Sequence, residues 1–298
     1  MNDPTGATAP LNGWLIIDKP AGRSSAQIVG RVKRLCGGQK VGHGGTLDPL
    51  ATGVLPMAIG EATKTVSYVM LGTKAYRFTV KWGEARDTDD SEGEITETSD
   101  VRPSRHAIEA AVPQFVGEIS QLPPIYSALK VSGQRAYALA RANKPVTLEP
   151  RPVRIDSLTL LENDENTATF DVTCGKGTYI RALARDLARN LGTFGHVSAL
   201  RRTAVGPFSE KAAISLEILE TLVHSARLAA HVLPVEAPLA DIPALELTES
   251  DAHRLQCGQV IAVSGTDVET VRAKFGERLV ALAKIETGHL KALRVFNL

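Results

Sequence analysis

The sequence predicts an α+β protein with a second, smaller domain at its C-terminal end. Strand-like and helix-like segments mix without the regular βαβ alternation of a doubly wound sheet. With 298 residues, the chain is long enough for two domains. Near residue 234 the composition changes to "LPVEAPLADIP", whose three prolines indicate a linker. Short alternating segments follow to Leu298, as in a small β-barrel.

The first elements are a strand and a helix. "GWLIIDKP" predicts a short buried strand that ends at Pro20. "SSAQIVGRVKRLCGG" predicts a helix that Ser24 or Ser25 caps and Gly37 ends. Residues 1–12 are expected to form a flexible tail. The apolar face of the helix comprises Ile28, Val29, Val32 and Leu35.

The middle of the chain alternates between strands and helices. "GEATKTVSYVML" predicts a helix, and "YRFTVKW" predicts a strand whose alternate residues from Tyr76 to Trp82 share one face. The acidic run at 84–100 suggests a solvated loop or strand edge. "SRHAIEAAVPQF" predicts a helix capped by Ser104, and "QLPPIYSALKVSGQRAYALARANK" an extended segment followed by a helix.

The last elements before the linker are a hairpin and a strong helix. "VRIDSLTLL" and "TATFDVTC" flank the turn-like "ENDEN" and should pair. "TYIRALARDLARNLG" predicts a helix with one apolar stripe. That stripe comprises Ile180, Leu183, Leu187 and Leu191.

The stretch "GHGGTLDPLATGVLP", Gly42 to Pro56, is predicted to be an apolar, glycine-rich loop. Its only carboxylate is Asp48, and its only other titratable side chain is His43. A lone aspartate there could serve as a covalent nucleophile or a base, if an arginine keeps it ionised against burial. Arg181 is a candidate, since it opens the strong helix. Alternatively, "TLDP" is only a turn in which Asp48 caps its own backbone.

Several function classes lack their signatures. The chain contains no G-x-S-x-G nucleophile elbow, and "CGKGT" lacks the upstream glycine of a phosphate loop. Its three isolated cysteines argue against a disulfide framework, and the absence of C-x-x-C and H-E-x-x-H against a zinc site. We therefore expect no metal. No secretory signal or membrane-spanning run is apparent.

Charge is unevenly distributed although the net charge is only +1. Two basic windows, 18–40 and 176–202, each hold six basic residues against one acid. They could form a surface that binds phosphates. Ordinary solvated helix faces would give the same pattern, so charge alone leaves both interpretations open.

Six motifs in order resemble the bacterial tRNA pseudouridine-55 synthases, the TruB-type pseudouridine synthase family. They are "GWLIIDKPAGRSS", "GHGGTLDPLATGVLP", "GEATK", "YSALK", "GTYIRALARDLA" and "ALRRTAVGPF". They run from about Gly13 to Phe208, and the C-terminal part resembles the family's PUA-like domain. The Gly44-Gly45 pair is a departure, in a loop whose small residues vary within the family.

The resemblance implies a fold and an activity. The fold is the pseudouridine synthase fold, with a central mixed, largely antiparallel sheet flanked by helices over 13–233 and a PUA-like RNA-binding domain over 241–298. The activity is isomerisation of uridine 55 in the T arm of tRNA, by base flipping and without a cofactor. The enzyme is expected to be a cytoplasmic monomer that needs tRNA but no obligate protein partner and no membrane.

The resemblance also assigns site residues. Asp48 matches the catalytic aspartate, Arg181 its ion-pair partner, and Tyr76 the residue that lies against the flipped uracil. Tyr179 and Leu200 would line the uracil pocket. The remaining substrate-binding residues are His43, which would fill the space that the base leaves, and Lys19 and Lys130, which would support the site or the RNA backbone.

Two rival functions remain open at the level of sequence. One is an RNA chaperone that keeps the fold without turnover, against which the intact set of Asp48, Tyr76 and Arg181 argues. The other is an aspartate-dependent glycosidase or nucleosidase, which would be indifferent to tRNA.

Overall fold

The computed structural model describes residues 11–127, 129–131, 133–142, 144–222 and 226–298. Most of the expected tail therefore lies outside the described residues. Its last residue is tied to the fold, because the side chain of Asn12 accepts a hydrogen bond from the backbone N–H of Glu61 at 2.8 Å.

The described chain contains seven α-helices and nineteen strands. The helices are α1 (Ser25–Leu35), α2 (Val66–Leu71), α3 (Arg105–Ala111), α4 (Ala136–Arg141), α5 (Ile180–Asn190), α6 (Leu216–Leu222) and α7 (Glu249–Gln256). The strands up to residue 175 are β1 (Gly13–Lys19), β2 (Val41–His43), β3 (Thr52–Ile59), β4 (Lys74–Trp82), β5 (Glu84–Arg86), β6 (Ile95–Thr98), β7 (Gly117–Gln121), β8 (Lys130–Val131), β9 (Gln134–Arg135), β10 (Arg151–Asn163) and β11 (Thr167–Cys174). The later strands are β12 (Gly195–Val205), β13 (Phe208–Ser209), β14 (Val232–Leu233), β15 (Ala244–Glu246), β16 (Ile261–Ala262), β17 (Val268–Phe275), β18 (Arg278–Glu286) and β19 (His289–Val295).

A ten-stranded mixed sheet dominates the fold. Its main order is β14-β1-β3-β12-β4-β11-β10-β7, with β2 on β3 and β13 on β12. Among the pairings of the described residues in this sheet, only that of β3 with β12 is parallel. Apolar residues of α1 and α5 pack with those of β1 and β4 in one core. The largely antiparallel sheet flanked by helices therefore agrees with the predicted fold class.

Local sequence accounts for several elements. Ser24 caps α1 in a reciprocal capping box with Gln27, and Ser104 caps α3 as predicted. The predicted hairpin forms between β10 and β11. Ser25, the alternative cap, is buried instead and binds the backbone of Leu47.

Two predictions near the centre of the sheet were wrong or incomplete. The stretch Gly42–Pro56 is not all loop, because β2 continues to His43 and β3 begins at Thr52. Only residues 44–51, which we call the Asp48 loop, lie between these strands. Sequence analysis also missed β12, although it lies between β3 and β4.

The acidic run forms a short hairpin whose second strand is exposed, so of the two expectations the strand edge is nearer than the solvated loop. Strands β5 and β6 pair, and the turn between them places Asp89 and Asp90 in the interior, at 9% and 3% exposure. Buried carboxylates need partners, and each has an arginine: Arg185 for Asp89 and Arg181 for Asp90.

The C-terminal strands form a separate, curled half-barrel. Its five strands follow the order β15-β17-β18-β19-β16, and α7 packs against them. Leu279, Leu282 and Phe296 of this region share an apolar core with Trp14 and Phe208 of the large sheet. None of the helices in the described ranges has the length and apolar character needed to cross a membrane.

Gly53 lies where β3 pairs in parallel with β12. We expect Gly53→Ala to lower the free energy of unfolding by about 3 kcal/mol. Its φ is +96°, and an added Cβ would stand 2.2 Å from the carbonyl oxygen of Arg202. Urea unfolding measures the loss. Gly22→Ala is the control, because Gly22 has a φ of +77° but no atom near the added Cβ. Equal losses would mean that the backbone approach is unimportant.

Candidate active site

A cavity of about 290 Å³ opens where the Asp48 loop meets the start of α5 and the strands β4 and β12. Its wall combines one acid, three cations, two tyrosines and several apolar groups. The lining residues are Gly45, Thr46, Leu47, Asp48, Met70, Lys74, Tyr76, Gly175, Gly177, Thr178, Tyr179, Ile180, Arg181, Leu200 and Arg202.

Buried side chains hold the Asp48 loop from beneath. The Lys19 ammonium is fully buried and donates hydrogen bonds to the carbonyls of Pro49, at 3.1 Å, and Ala51, at 2.5 Å. The Ser25 hydroxyl accepts from the N–H of Leu47 at 2.8 Å and donates to its carbonyl at 3.0 Å. The loop backbone is therefore fixed on both sides of Asp48.

Arg202 holds the same loop from the side of the sheet. Its guanidinium is 1% exposed and donates to the carbonyls of Gly45, at 3.0 Å, Thr46, at 3.3 Å, and Val54, at 2.8 Å. In the sheet, Arg202 of β12 lies opposite Tyr76 of β4. Arg202 thus ties the loop to the strand that carries Tyr76.

Asp48 forms an ion pair with Arg181. The Nε of Arg181 lies 2.9 Å from Oδ2 of Asp48 and 3.5 Å from Oδ2 of Asp90, and its Nη1 and Nη2 donate to the carbonyls of Thr88 and Tyr126. The Arg181 side chain is 4% exposed, whereas that of Asp48 is 37% exposed. The arginine is therefore immobilised, while the carboxylate remains accessible from the cavity.

The aromatic residues of the cavity are neutral. Burial raises the pKa of Tyr76, an effect that Arg202 partly opposes, and burial also raises the pKa of Tyr179. Gln121 positions Tyr179 by accepting from its N–H at 2.9 Å and donating to its carbonyl at 3.2 Å. Both phenols can therefore donate a proton or a hydrogen bond at neutral pH.

The structure brings together five of the eight predicted site residues. Asp48, Tyr76, Arg181, Tyr179 and Leu200 all line the cavity. The other three are outside its wall.

These three residues have different surroundings. Lys19 lies under the Asp48 loop, where its burial excludes contact with an RNA backbone. His43 is half-buried in β2 and accepts from the N–H of Gly45 at 3.3 Å, and burial lowers its pKa. Lys130 is exposed in β8.

Sequence reasoning missed Lys74 and Arg202 as cavity residues. A signal for Lys74 existed, because it stands two residues before Tyr76 on the same face of an alternating strand, where a lysine is unusual. Arg202 lies within "ALRRTAVGPF", but the central strand β12 that buries it was not predicted. In the described ranges, no three His, Cys, Asp or Glu side chains are grouped so as to hold a metal ion.

The basic window 176–202 does not form one solvated surface. Arg181 and Arg185 pair with the buried Asp90 and Asp89, Arg201 pairs with Asp18, and Arg202 is buried. Only Lys176 and Arg189 of its six basic residues are exposed. In the window 18–40, the residues Arg23, Lys33, Arg34 and Lys40 are exposed.

Lys19 should give the protein a pH-dependent stability. Burial lowers its pKa from 10.5 to about 8, an effect that Asp48 partly opposes. Between these two values the unfolded chain binds a proton that the folded chain lacks, so stability rises with pH there. Relative to Lys19→Met, the wild type should gain up to about 1.4 kcal/mol per pH unit from pH 8 to 10.5.

Urea unfolding at several pH values tests this expectation. Lys33→Met is the control, since Lys33 is exposed and should not alter the slope. Parallel pH profiles for wild type and Lys19→Met would contradict the lowered pKa.

Two family models match the chain. Residues 33–180 match the TruB family pseudouridylate synthase (N terminal domain), and residues 181–240 match the tRNA pseudouridylate synthase B C-terminal domain. The chain is 55% identical to tRNA pseudouridine synthase B of Rhodospirillum rubrum, with 97% of each chain covered. It is 51% identical to tRNA pseudouridine synthase B of Caulobacter vibrioides, also with 97% of each covered.

Two solved structures resemble the fold. One is an H/ACA RNP bound to a substrate RNA containing 2′-deoxyuridine, with a TM-score of 0.74 at 23% identity, covering 96% of this chain and 85% of that one. The other is a Cbf5-Nop10-Gar1 complex, with a TM-score of 0.73 at 26% identity, covering 96% and 84%. Because these likenesses extend over both sheets, they confirm the fold that the resemblance implied.

Proposed function

Because the chain belongs to the TruB family of pseudouridylate synthases, we propose that it converts uridine 55 in the T arm of tRNA into pseudouridine. It is an enzyme of tRNA modification. The observation that best supports the conversion of uridine 55 is the ion pair of Asp48 with Arg181, which presents an accessible carboxylate to a small cavity. The volume is at the lower end of ligand sites, which typically begin at about 300 Å³, and so suits one flipped base.

Asp48 is the group that starts the reaction. Arg181 binds and orients one carboxylate oxygen, while the exposed part of the side chain can reach a nucleotide. Three routes are compatible with this arrangement: attack on the ribose, attack on the base, and removal of a sugar proton. In each, a positioned carboxylate acts in a site that limits the access of water.

The remaining cavity residues hold the base and move protons. Tyr76 lies against the flipped uracil, and its neutral phenol takes part in transfer of the C5 proton. Tyr179 and Leu200 form walls of the uracil pocket. Detached uracil must turn within this enclosure before C5 bonds to the ribose.

The residues outside the cavity have supporting roles. Lys19 positions the Asp48 loop through its carbonyl contacts. His43 fills the space that the flipped base leaves in the T loop, and the exposed Lys130 contacts the RNA backbone. Residues 13–233 form the catalytic domain, and the PUA-like region 241–298 extends the grip on tRNA. The enzyme works as a monomer in the cytoplasm.

Release of tritium from C5-labelled uridine in a T-arm transcript tests the proposed function. The enzyme should release tritium from a transcript whose labelled uridine is at position 55. It should release none from a control transcript that has cytidine at position 55 and labelled uridine only at other positions. A chaperone without turnover would bind the transcript but release nothing. A nucleosidase would free uracil from uridine alone, which would contradict the proposal.

His43→Ala separates a space-filling role from a chemical one. His43 lies five residues before Asp48, at the end of β2, outside the cavity wall. If it replaces the flipped base in the RNA stack, the variant should lose about tenfold or more in rate on folded tRNA and less on a single-stranded transcript. Single-turnover rates on both substrates measure this. Equal losses would favour a direct role in the chemistry.

A further inference from the structure

The cavity holds more positive charge than a neutral base requires. Of the four charged residues in its wall, one is an acid and three are cations. Arg181 is balanced by Asp48 and Asp90. Lys74 and Arg202 form no salt bridge with any carboxylate of the described residues, and both donate to backbone carbonyls instead.

Lys74 is built into the cavity beside Tyr76. It opens β4 and is two residues from Tyr76, so both side chains lie on the same face of the strand. It is 8% exposed, and its ammonium donates to the carbonyls of Met70 and Gly72. An ammonium has three N–H groups, so one is not taken by these two acceptors.

Keeping this cation in the cavity is unfavourable in the resting enzyme. Burial lowers the pKa of Lys74, and the nearby charges of Arg202 and Lys176 lower it further. Two carbonyl dipoles only partly replace water around the ammonium. The cation would be better stabilised by an anion that forms within the cavity during the reaction.

The chemistry supplies such an anion. When the bond between N1 and C1′ breaks, its electron pair stays on the base and is delocalised over N1, O2 and O4. If Asp48 first adds to C6 of the base, the electrons move to O4 as an enolate. Negative charge therefore develops on the ring by any route through Asp48, and it is neutralised when C5 bonds to C1′. The C5 proton then leaves and N1 takes up a proton, so the ring ends neutral. No electron acceptor or donor is needed, because the reaction is an isomerisation.

We propose that Lys74 is a further catalytic residue, whose ammonium stabilises the negative charge on the uracil ring between cleavage and reattachment. This inference rests on the proposed function. Preorganised charge directed at a site of developing charge is a large catalytic effect. Arg202 is the weaker candidate, because its three described hydrogen bonds hold the Asp48 loop and the adjoining strand β3.

A substrate whose detached base is a more stable anion tests the role of Lys74. Fluorine at C5 withdraws electrons and stabilises that anion. Single-turnover consumption of the target nucleotide is therefore compared for T-arm transcripts with uridine and with 5-fluorouridine at position 55. Consumption is the right measure because fluorine cannot leave C5 as a proton, so the comparison reports the steps up to C5 attachment.

Lys74→Met should slow consumption of the uridine transcript by about 10²-fold. The loss on the fluorinated transcript should be at least about tenfold smaller, and Lys74→Arg should recover part of the uridine rate. Lys81→Met is the matched control, because Lys81 lies on the same strand but pairs with Glu84 away from the cavity. It should leave both rates unchanged.

Several results would overturn the inference. Equal losses on both transcripts would show that Lys74 has only a structural role, through its hydrogen bonds to the carbonyls of Met70 and Gly72. A full uridine rate in Lys74→Met would show that the ammonium is not needed. Failure of the proposed function is distinguishable, because then the wild type would not convert uridine 55 at all.

Discussion

Asp48→Asn should lower the rate of pseudouridine formation by at least about 10⁴-fold, a loss typical of removing a catalytic group. The amide has the size of the carboxylate, but it can neither attack carbon nor accept a proton efficiently. Asp48 is partly exposed and its loop is held by Lys19, Ser25 and Arg202. Binding of tRNA should therefore change by less than about tenfold, or ~1.4 kcal/mol.

Tritium release and filter binding on the same preparations measure these two effects. Asp171→Asn is a matched control, because Asp171 also pairs with an arginine, Arg77, at 2.8 Å, but on an exposed part of the sheet. It should retain full activity. Turnover by Asp48→Asn within about 100-fold of the wild type would rule out an essential carboxylate.

Arg181→Lys should reduce the rate by about 10²-fold or more while binding of tRNA stays nearly normal. Lysine keeps the charge but not the planar fork that reaches Asp48 and the carbonyls of Thr88 and Tyr126 together. Arg181→Met should also lower the free energy of unfolding by about 3–5 kcal/mol, because it leaves the buried Asp90 without its cation.

Single-turnover rates and urea unfolding measure the two Arg181 variants. Arg77→Lys is the control, since its pair with Asp171 is exposed and should contribute little. An Arg181→Lys enzyme with the wild-type rate would mean that the orientation of Asp48 does not depend on this guanidinium. Unchanged stability in Arg181→Met would mean that the buried Asp90 does not depend on this cation.

Hydrophobic periodicity predicted those helices and strands whose own residues carry a clear apolar stripe or alternation. The helices α1 and α5 have clear apolar stripes, and the hairpin of β10 and β11 has alternation on both sides of a turn. Strand β12 has no such pattern, since it carries two adjacent arginines and shifts register twice against β4. Its central position depends on buried partners from β3 and the Asp48 loop, which are distant in sequence.

The candidate site was predictable only in part for the same reason. Asp48 was conspicuous as the only acid of an apolar stretch, and Arg181 as the arginine that opens a strong helix. Asp90 was not, because it was one of eight acids in its run, and only the β5–β6 turn selects it for burial. Residue type therefore identified the groups, whereas tertiary contacts decided which of them meet.

The long separation of the two halves of the site has a consequence during protein synthesis. Asp48 and Arg181 are 133 residues apart, which at about 5–20 residues per second is roughly 7–27 s of translation. The last strand of the site, β12, ends later still, at Val205. In a growing chain, Asp48 is therefore synthesised long before Arg181 is available to orient it. Activity toward tRNA begins only after β12 has been added to the sheet.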